Sequence, residues 1–261
     1  MHRSARPRVL GVIPARLDSV RLPRKPLHPL LGRPLVEWVW RRARAMPLLD
    51  QLVVATDAAE VASLCRSLGA RTELTSAEHR SGTERVAEVA IRPAYRDHDV
   101  ILNIQGDEPL VRESHLRAAV ELVASGKWPL GTCAAPLAEC DFDDPAAVKV
   151  GTDHDGAALW FDRALPDGIS DETLRDGRVG RHLGIYSYSP SGLANWVSLD
   201  PVEAERERSL EQLRPLAHGI AMGVARVSAA APGVDTPGDV PKVEAMLREE
   251  PLTGEVGPEM T

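Results

Sequence analysis

The chain has 261 residues and a formal net charge of −7 at pH 7, with 43% hydrophobic and 26% charged residues. An acidic chain lacks the basic face that a general nucleic-acid binder needs, so nucleic acid is not expected as a partner. No apolar stretch approaches the about 20 residues that cross a bilayer, and the first residues lack the apolar core of a signal peptide. We therefore expect a cytoplasmic protein without membrane contact.

The cysteine and lysine counts bear on disulfides, zinc binding and the choice of candidate cations. Cys65, Cys133 and Cys140 are odd in number and have no CxxC spacing, which indicates buried or inert thiols rather than disulfides or a zinc site. The sequence contains four lysines against 27 arginines. A lysine is thus the rarer choice of cation, and Lys25 carries more information than the arginines around it.

The first half of the chain alternates strand and helix patterns. Apolar, β-branched runs predict buried parallel strands, and 3.6-residue periodicity predicts helices between them. The predicted strands cover 9–15, 51–56, 71–75 and 99–105, and the predicted helices cover 35–45, 57–68, a segment opening at Ser81, and 111–125. This alternation predicts an α/β fold with a Rossmann-like, doubly wound, mostly parallel sheet whose sites lie at the carboxyl ends of the strands.

The second half is richer in β-structure. An Asp/Gly-rich turn at 153–156 predicts a hairpin, and further strands are predicted at 181–189 and 220–228 with helices at 202–219 and 235–250. The expected organisation is one α/β domain over 1–250 with an inserted β-rich lobe. Its parts are a nucleotide-binding half over about 1–130, the lobe over about 131–230, a closing helix over 231–250, and a flexible tail over 251–261.

A cluster of cations follows the first predicted strand. Arg16, Arg21, Arg24, Lys25 and Arg33 lie between that strand and its helix, where α/β folds bind phosphates. The segment has neither the GxxxxGKS nor the GxGxxG motif, so anion binding would rely on side chains such as Arg16, Arg21 and Lys25. The alternative is a solvated basic loop that offsets acidic neighbours.

Two aspartates stand at positions that suit a magnesium ion. Asp107 lies in "QGDEP", directly after the apolar strand at 99–105, where a buried charge needs a partner. Mg²⁺ favours one or two carboxylates plus substrate phosphates. Asp235 precedes a predicted helix start in which Thr236 is the N-cap and Asp239 the N3 residue. The alternatives are an ordinary Gly-Asp turn at Asp107 and simple capping at 235–239.

Two smaller groups complete the candidate residues. In "RHLGIY", strand alternation places His182, Gly184 and Tyr186 on one face and Arg181 on the other. In "LEQLR", Glu211 and Arg214 have the i, i+3 spacing of an intrahelical ion pair.

These segments together resemble the 3-deoxy-manno-octulosonate (KDO) cytidylyltransferases, also called CMP-KDO synthetases. The matching stretches are "VIPARLDSVRLPRKPL", "VVATD", "SGTERVAEV", "NIQGDEPL", "AVKV", "RHLGIYSY", "LEQLR" and "GVDTPGD". They extend over nearly the whole chain, from Val12 to about Leu247. The resemblance implies a nucleotide-diphospho-sugar transferase type of fold and transfer of CMP from CTP to the anomeric hydroxyl of a 2-keto-3-deoxy sugar acid, with release of pyrophosphate.

The resemblance also implies roles for individual residues. The residues implied to be catalytic are Arg16, Lys25, Asp107 and Asp235, and the two aspartates would bind Mg²⁺ as the cofactor. The residues implied to bind CTP are Pro14, Ala15, Arg16, Arg21, Lys25, Ser81, Gly82, Arg85 and Gln105. The residues implied to bind the sugar acid are Gln105, Arg163, His182, Tyr186, Glu211 and Gln212. By the same resemblance the lobe over about 131–230 would hold the acid and form a homodimer.

The chain departs from the family pattern at several positions. Arg24 stands where the family loop has glycine, Val20 replaces a small hydroxyl residue, and Asp162 precedes Arg163 where serine is usual. An acidic side chain near an anionic substrate is expected to weaken its binding unless it is turned away. Two alternatives to the KDO enzyme stay open: the same CTP chemistry on another acid (8-amino-KDO, a sialic-type acid or a specialised-pathway acid), and a nucleotide-binding homologue without catalysis.

Overall fold

The structure, a computed structural model, describes residues 6–228 and 231–252. These residues form two compact units. Unit 1 comprises 6–9, 96–102 and 114–228, and unit 2 comprises 10–95, 103–113 and 231–252. The larger part of the predicted tail, residues 253–261, lies outside the described residues.

The regular elements follow the predicted alternation of strands and helices. The strands are β1 (Val9–Pro14), β2 (Pro29–Leu30), β3 (Arg33–Pro34), β4 (Gln51–Thr56), β5 (Arg71–Leu74), β6 (Val100–Asn103), β7 (Leu130–Pro136), β8 (Lys149–Thr152), β9 (Ala158–Asp162), β10 (Val179–Tyr188) and β11 (Met222–Arg226). The α-helices are α1 (Leu35–Arg44), α2 (Ala59–Ser67), α3 (Gly82–Ala90), α4 (Glu113–Ala124), α5 (Asp171–Arg175), α6 (Pro190–Ser198), α7 (Glu203–Arg208), α8 (Leu213–Ala217) and α9 (Val240–Glu249).

Unit 2 contains the parallel strands expected of an α/β fold. β1 pairs with β4 and β4 with β5, both in parallel, and the apolar side chains of β1 are buried. The apolar stripe of α1 is also buried, and Trp38 Nε1 donates a 2.8 Å hydrogen bond to Leu30 O. Helix α2 ends as predicted before Gly69, whose φ of 84° suits the residue after a helix. The predicted α/β class is confirmed.

Unit 1 contains the β-rich part of the chain. Its strands run in the order β11-β7-β10-β6, with β7 parallel to β11 and antiparallel to β10. The hairpin predicted around 153–156 is confirmed, because β8 and β9 pair antiparallel on either side of it. Gly156 has a φ of 85°, a conformation that glycine adopts without strain.

The single helix predicted over 202–219 is wrong. Helix α7 ends at Arg208, Ser209 adopts a left-handed φ of 52°, and α8 begins at Leu213. The Arg214 guanidinium donates two hydrogen bonds, of 2.6 and 2.8 Å, to the buried carboxylate of Glu205, on the other side of the break. This bidentate pair stabilises a bend that periodicity alone does not reveal.

The structure also bears on the expectations for the cysteines and for membrane-spanning helices. Cys65 and Cys133 are buried, whereas Cys140 is exposed, so for Cys140 the expectation of an inert thiol stays a prediction. Burial raises the pKa of the Cys65 thiol to about 11. Across residues 6–228 and 231–252, no helix is both long and apolar enough to cross a membrane.

Candidate active site

The candidate site in unit 2 begins where the chain leaves β6 and passes the end of β1. Ile104 N donates a 2.9 Å hydrogen bond to Val12 O, which draws the following turn against β1. A Cβ at Gly106 would lie 2.6 Å from Pro14 O, closer than real Cβ atoms approach. Glycine is therefore required at 106 for Asp107 to sit beside the carboxyl end of β1.

Asp235 reaches the same place through a backbone contact. Val234 N donates a 2.9 Å hydrogen bond to Asp107 O, which sets the two aspartates close together. The helix start predicted after Asp235 is present, because Asp239 Oδ2 accepts hydrogen bonds from the backbone N–H of Asp235 (3.0 Å) and Thr236 (2.7 Å). With its backbone held in this way, Asp235 has its carboxylate available to the basic loop.

Lys25 joins the two aspartates. Its Nζ lies 2.6 Å from Asp107 Oδ2 and 2.7 Å from Asp235 Oδ1, and its side chain is only 14% exposed. Burial alone would lower the pKa of Lys25, but the two carboxylates outweigh this effect and raise it. Lys25 is therefore a fixed, charged ammonium group. Arg21 adds a second cation, since its Nη2 lies 3.0 Å from Asp235 Oδ1.

Two other cations of the basic loop, Arg16 and Arg24, are exposed. Ala15 is anchored by a 2.8 Å hydrogen bond from its N–H to Ala55 O, and Arg16 follows it with an exposed side chain. Arg24 has a φ of 56°, in the left-handed region, and its Nη2 lies 2.5 Å from Glu60 Oε1 in the first turn of α2. The position at which the family has glycine is thus one that requires a positive φ.

Ser81, Gly82 and Arg85 lie at the start of α3. Ser81 is the N-cap, with Oγ accepting a 3.1 Å hydrogen bond from Glu84 N. A Cβ at Gly82 would lie 3.4 Å from Pro14 Cγ, so this helix start packs near the end of β1. The Arg85 guanidinium is buried, and it bonds Asp57 Oδ2 at 3.0 Å and Thr75 Oγ1. Arg85 thus has a structural role here, and its nucleotide contact stays a prediction.

The donor set around Lys25 fits a magnesium ion that is shared with phosphates. In the part of the chain that the structure describes, no group of three or more His, Cys, Asp and Glu side chains is arranged to hold a metal ion. Two carboxylates facing one cation are nevertheless what Mg²⁺ uses when substrate phosphates and water supply its other ligands. Asp107 and Asp235 are the residues that could hold it.

Unit 1 holds a second cluster of predicted site residues. The His182 ring lies between Phe161 and Tyr186, with ring centroids 5.1 and 5.4 Å away, and its Nε2 lies 2.9 Å from Thr132 Oγ1. Desolvation in this setting lowers the pKa of His182 to about 3, which makes the ring neutral at pH 7. Tyr186 Oη donates a 3.0 Å hydrogen bond to Gln212 Oε1. Three of the predicted acid-binding residues are thus neighbours.

Arg163 occupies a different setting. Its Nη1 donates a 2.8 Å hydrogen bond to Pro145 O, and its Nε donates one of 3.2 Å to Arg208 O. The guanidinium therefore ties backbone segments together, and its contact with the acid stays a prediction. Asp162 turns towards Arg208, whose Nη1 lies 2.9 Å from its Oδ2. The added negative charge is thus paired within the protein.

The structure also shows residues that sequence reasoning missed. Glu60, Glu205 and Arg208 fix segments that carry predicted site residues. Their partners are 36, 9 and 46 positions away in the chain respectively, and the sequence pattern contains no signal for any of these pairs.

Gln105, one of the predicted site residues, lies in the turn before Asp107, where its backbone O accepts a 3.2 Å hydrogen bond from Glu108 N.

Comparison with known proteins shows the family that the chain is similar to. The family model described as "Cytidylyltransferase" matches residues 10–222. The chain is 46% identical to the 3-deoxy-manno-octulosonate cytidylyltransferase of Gemmatimonas aurantiaca, covering 89% of this chain and 91% of that protein. It is 42% identical to the protein of the same name from Halorhodospira halophila, covering 91% and 96%.

A solved structure shares the fold. The structure of CMP:2-keto-3-deoxy-manno-octonic acid synthetase complexed with CTP matches with a TM-score of 0.84 and 33% sequence identity, covering 93% of this chain and 99% of that one. Both the sequence and the fold therefore match over nearly the full length of the relatives. The chain belongs to the 3-deoxy-manno-octulosonate cytidylyltransferase family.

Proposed function

We propose that this protein transfers CMP from CTP to the anomeric hydroxyl of KDO and releases pyrophosphate, in a reaction that depends on Mg²⁺. The observation that carries the proposal is the cluster of Lys25, Asp107 and Asp235 beside the carboxyl end of β1. It combines fixed cations for a triphosphate with two carboxylates for a metal ion. The relatives named above carry the name of this activity.

Asp107 and Asp235 would hold the magnesium ion. Their carboxylates converge on one cation, Lys25 Nζ, as the carboxylate ligands of a shared metal ion would have to. When bound, Mg²⁺ would offset the negative charge that collects on the phosphates and lower the pKa of the acceptor hydroxyl. The protein's part is to hold these two carboxylates in place, through the Val234–Asp107 hydrogen bond and the Asp239 cap.

The basic loop would bind and orient the triphosphate. Lys25 keeps its proton, because the neighbouring carboxylates raise its pKa, and Arg16 and Arg21 add exposed positive charge. The acceptor hydroxyl attacks the α-phosphorus, the bond from that phosphorus to the bridging oxygen of pyrophosphate breaks, and the hydroxyl proton is released. Catalysis of this kind is largely positioning plus electrostatic stabilisation, so no dedicated side-chain base is needed.

The acid would bind through the cluster in unit 1, and Gln105 is proposed separately as an acid-binding residue. Neutral His182, Tyr186 and Gln212 present hydrogen-bonding groups of the kind that sugar hydroxyls need. Arg163 is the candidate partner for the acid's carboxylate, since guanidinium and carboxylate pair in a bidentate manner. Glu211, in the turn between α7 and α8, is proposed to contribute a further contact.

Three wider expectations belong to the same proposal. The product would supply an activated sugar acid for lipopolysaccharide assembly, and the protein would act in the cytoplasm. We also propose a homodimer formed through the lobe over about 131–230. Size-exclusion chromatography with light scattering tests the dimer, because a monomer at micromolar concentration would contradict it.

Pyrophosphate release from CTP tests the reaction. We expect release only when both Mg²⁺ and KDO are present, and a comparison of kcat/KM for KDO and its 8-amino analogue identifies the preferred acid. Asp107→Asn and Asp235→Asn should each lower kcat by at least about a hundredfold. Asp155→Asn, at the exposed tip of the β8–β9 hairpin, is the matched control and should leave turnover unchanged. No release with either KDO or its 8-amino analogue would refute the proposal.

A further inference from the structure

Asp162 departs from the family pattern, and the structure shows what it contacts. It is the last residue of β9, and its Oδ1 accepts hydrogen bonds from the backbone N–H of Arg163 (2.7 Å) and Ala164 (3.3 Å). Its Oδ2 lies 2.9 Å from Nη1 of Arg208. Asp162 therefore both ends its own strand and reaches a residue 46 positions later.

Arg208 is held at two points by the end of β9. Its side chain pairs with Asp162, and its backbone O accepts a 3.2 Å hydrogen bond from Arg163 Nε. Arg208 is the last residue of α7, and the left-handed Ser209 follows it. The end of β9 thus fixes the point at which the chain leaves α7.

The segment after this point carries two of the predicted acid-binding residues. Residues 209–212, which we call the acid turn, include Glu211 and Gln212, and Gln212 accepts the hydrogen bond from Tyr186 Oη. The far end of the acid turn is held by the buried pair of Glu205 and Arg214. An arginine-carboxylate contact therefore stabilises the chain on each side of the acid turn.

We propose that the Asp162–Arg208 ion pair positions the acid turn, and that Asp162 and Arg208 are positioning residues for the acceptor acid in this protein. The inference rests on the proposed function for its kinetic consequence. Both side chains are partly exposed, 28% for Asp162 and 48% for Arg208, so loss of the pair leaves the fold intact. The effect is local to the acid turn, and the nucleotide cluster around Lys25 does not depend on this pair.

Kinetics of variants at the two positions test the proposal. Arg208→Gln and Asp162→Asn should each raise KM for KDO about three- to tenfold and leave KM for CTP within about twofold. Asparagine is chosen because it keeps an oxygen that can accept the hydrogen bonds from Arg163 N and Ala164 N. The double variant should resemble either single one, because both remove the same contact. Arg208→Lys retains the charge and should restore most of the affinity. Arg206→Gln, on the same helix, is the matched control and should behave as the unmodified protein does.

Hydrogen exchange supplies a readout that does not depend on activity. The N–H groups of Leu213 and Arg214 donate to the backbone oxygens of Leu210 and Glu211 in the acid turn, and the N–H of Leu210 donates to Glu205 O in α7. All three should exchange faster in Arg208→Gln than in the unmodified protein or in Arg206→Gln. Unchanged exchange, or an unchanged KM for KDO in an active enzyme, would overturn the proposal. An unmodified protein without turnover refutes the proposed function instead, and the exchange comparison then still decides whether the pair holds the acid turn.

Discussion

Replacement of Arg24 by glycine and by alanine separates backbone strain from side-chain pairing in the basic loop. The φ of 56° at Arg24 costs a residue other than glycine about 1–2 kcal/mol. The ion pair with Glu60 joins side chains that are 57% and 56% exposed, so it contributes at most about 1 kcal/mol. Alanine removes the ion pair and keeps the strain, whereas glycine removes both.

The expected order of stability follows from these terms. Glycine loses about 0.5–1 kcal/mol relative to alanine, because the unfolded chain gains freedom. Relief of the left-handed strain exceeds this loss, so Arg24→Gly should be more stable than Arg24→Ala by about 1 kcal/mol. For a chain of this length, that difference corresponds to a Tm shift of about 2–4 °C.

Urea unfolding followed by circular dichroism measures the difference. The matched control is the same pair of substitutions at Arg41, in the middle of α1. There Arg41→Ala should be more stable than Arg41→Gly by about 1 kcal/mol. A reversed order at residue 24 relative to residue 41 supports the reasoning. An Arg24→Ala variant as stable as Arg24→Gly would show that the backbone at residue 24 carries no strain, and the explanation for glycine in the family would be wrong.

Three further predictions concern packing, protonation and a buried pair. Gly106→Ala forces a Cβ to within 2.6 Å of Pro14 O, and it should destabilise the protein by about 1–3 kcal/mol in thermal unfolding and reduce turnover; an unchanged Tm would contradict this. The pKa of His182 is lowered to about 3 in the native protein. As the pH falls, the imidazole is therefore protonated near pH 6.5 in the unfolded chain but not in the native protein. From pH 6.5 towards pH 3, the free energy of unfolding measured in urea should fall by up to about 1.4 kcal/mol per pH unit more in the unmodified protein than in His182→Gln. If the two proteins show the same dependence on pH, the low pKa is wrong. Glu205→Ala leaves the Arg214 guanidinium buried and unpaired by that carboxylate and should cost about 3–5 kcal/mol, whereas a double replacement of both residues by Met should cost less; equal losses would argue against a buried ion pair.

Local sequence signals predicted the elements that depend on local physics. The apolar run that became β1, the glycine after α2 and the serine that caps α3 all act within a few residues of their own position. Asp107 and Asp235 were predicted as a pair, and the structure brings both to Lys25. Residue reasoning offered both aspartates as magnesium ligands with a turn and a cap as alternatives, and the family resemblance favoured the role of ligands.

The features that sequence reasoning missed depend on distant partners. Periodicity continues through Ser209, yet the helix stops there, since the pair of Glu205 and Arg214 stabilises a bend. The contacts of the Arg85 guanidinium with Asp57 and Thr75 were also missed, and its contact with the nucleotide stays a prediction. In both cases an arginine forms an ion pair with a carboxylate that no local pattern identifies. Because the sequence contains many arginines, many such pairs are possible.

The cluster around Lys25 also has a consequence for the order in which the protein is made. Lys25 lies 82 residues before Asp107 and 210 residues before Asp235. The backbone oxygen of Asp107 also accepts a hydrogen bond from Val234 N. Unit 2 is assembled from three separate stretches of chain, the last beginning at residue 231. A nascent chain on the ribosome therefore carries the lysine early but gains its second carboxylate only after 210 further residues have been added. Any message truncated before that point yields a polypeptide with an unfinished site.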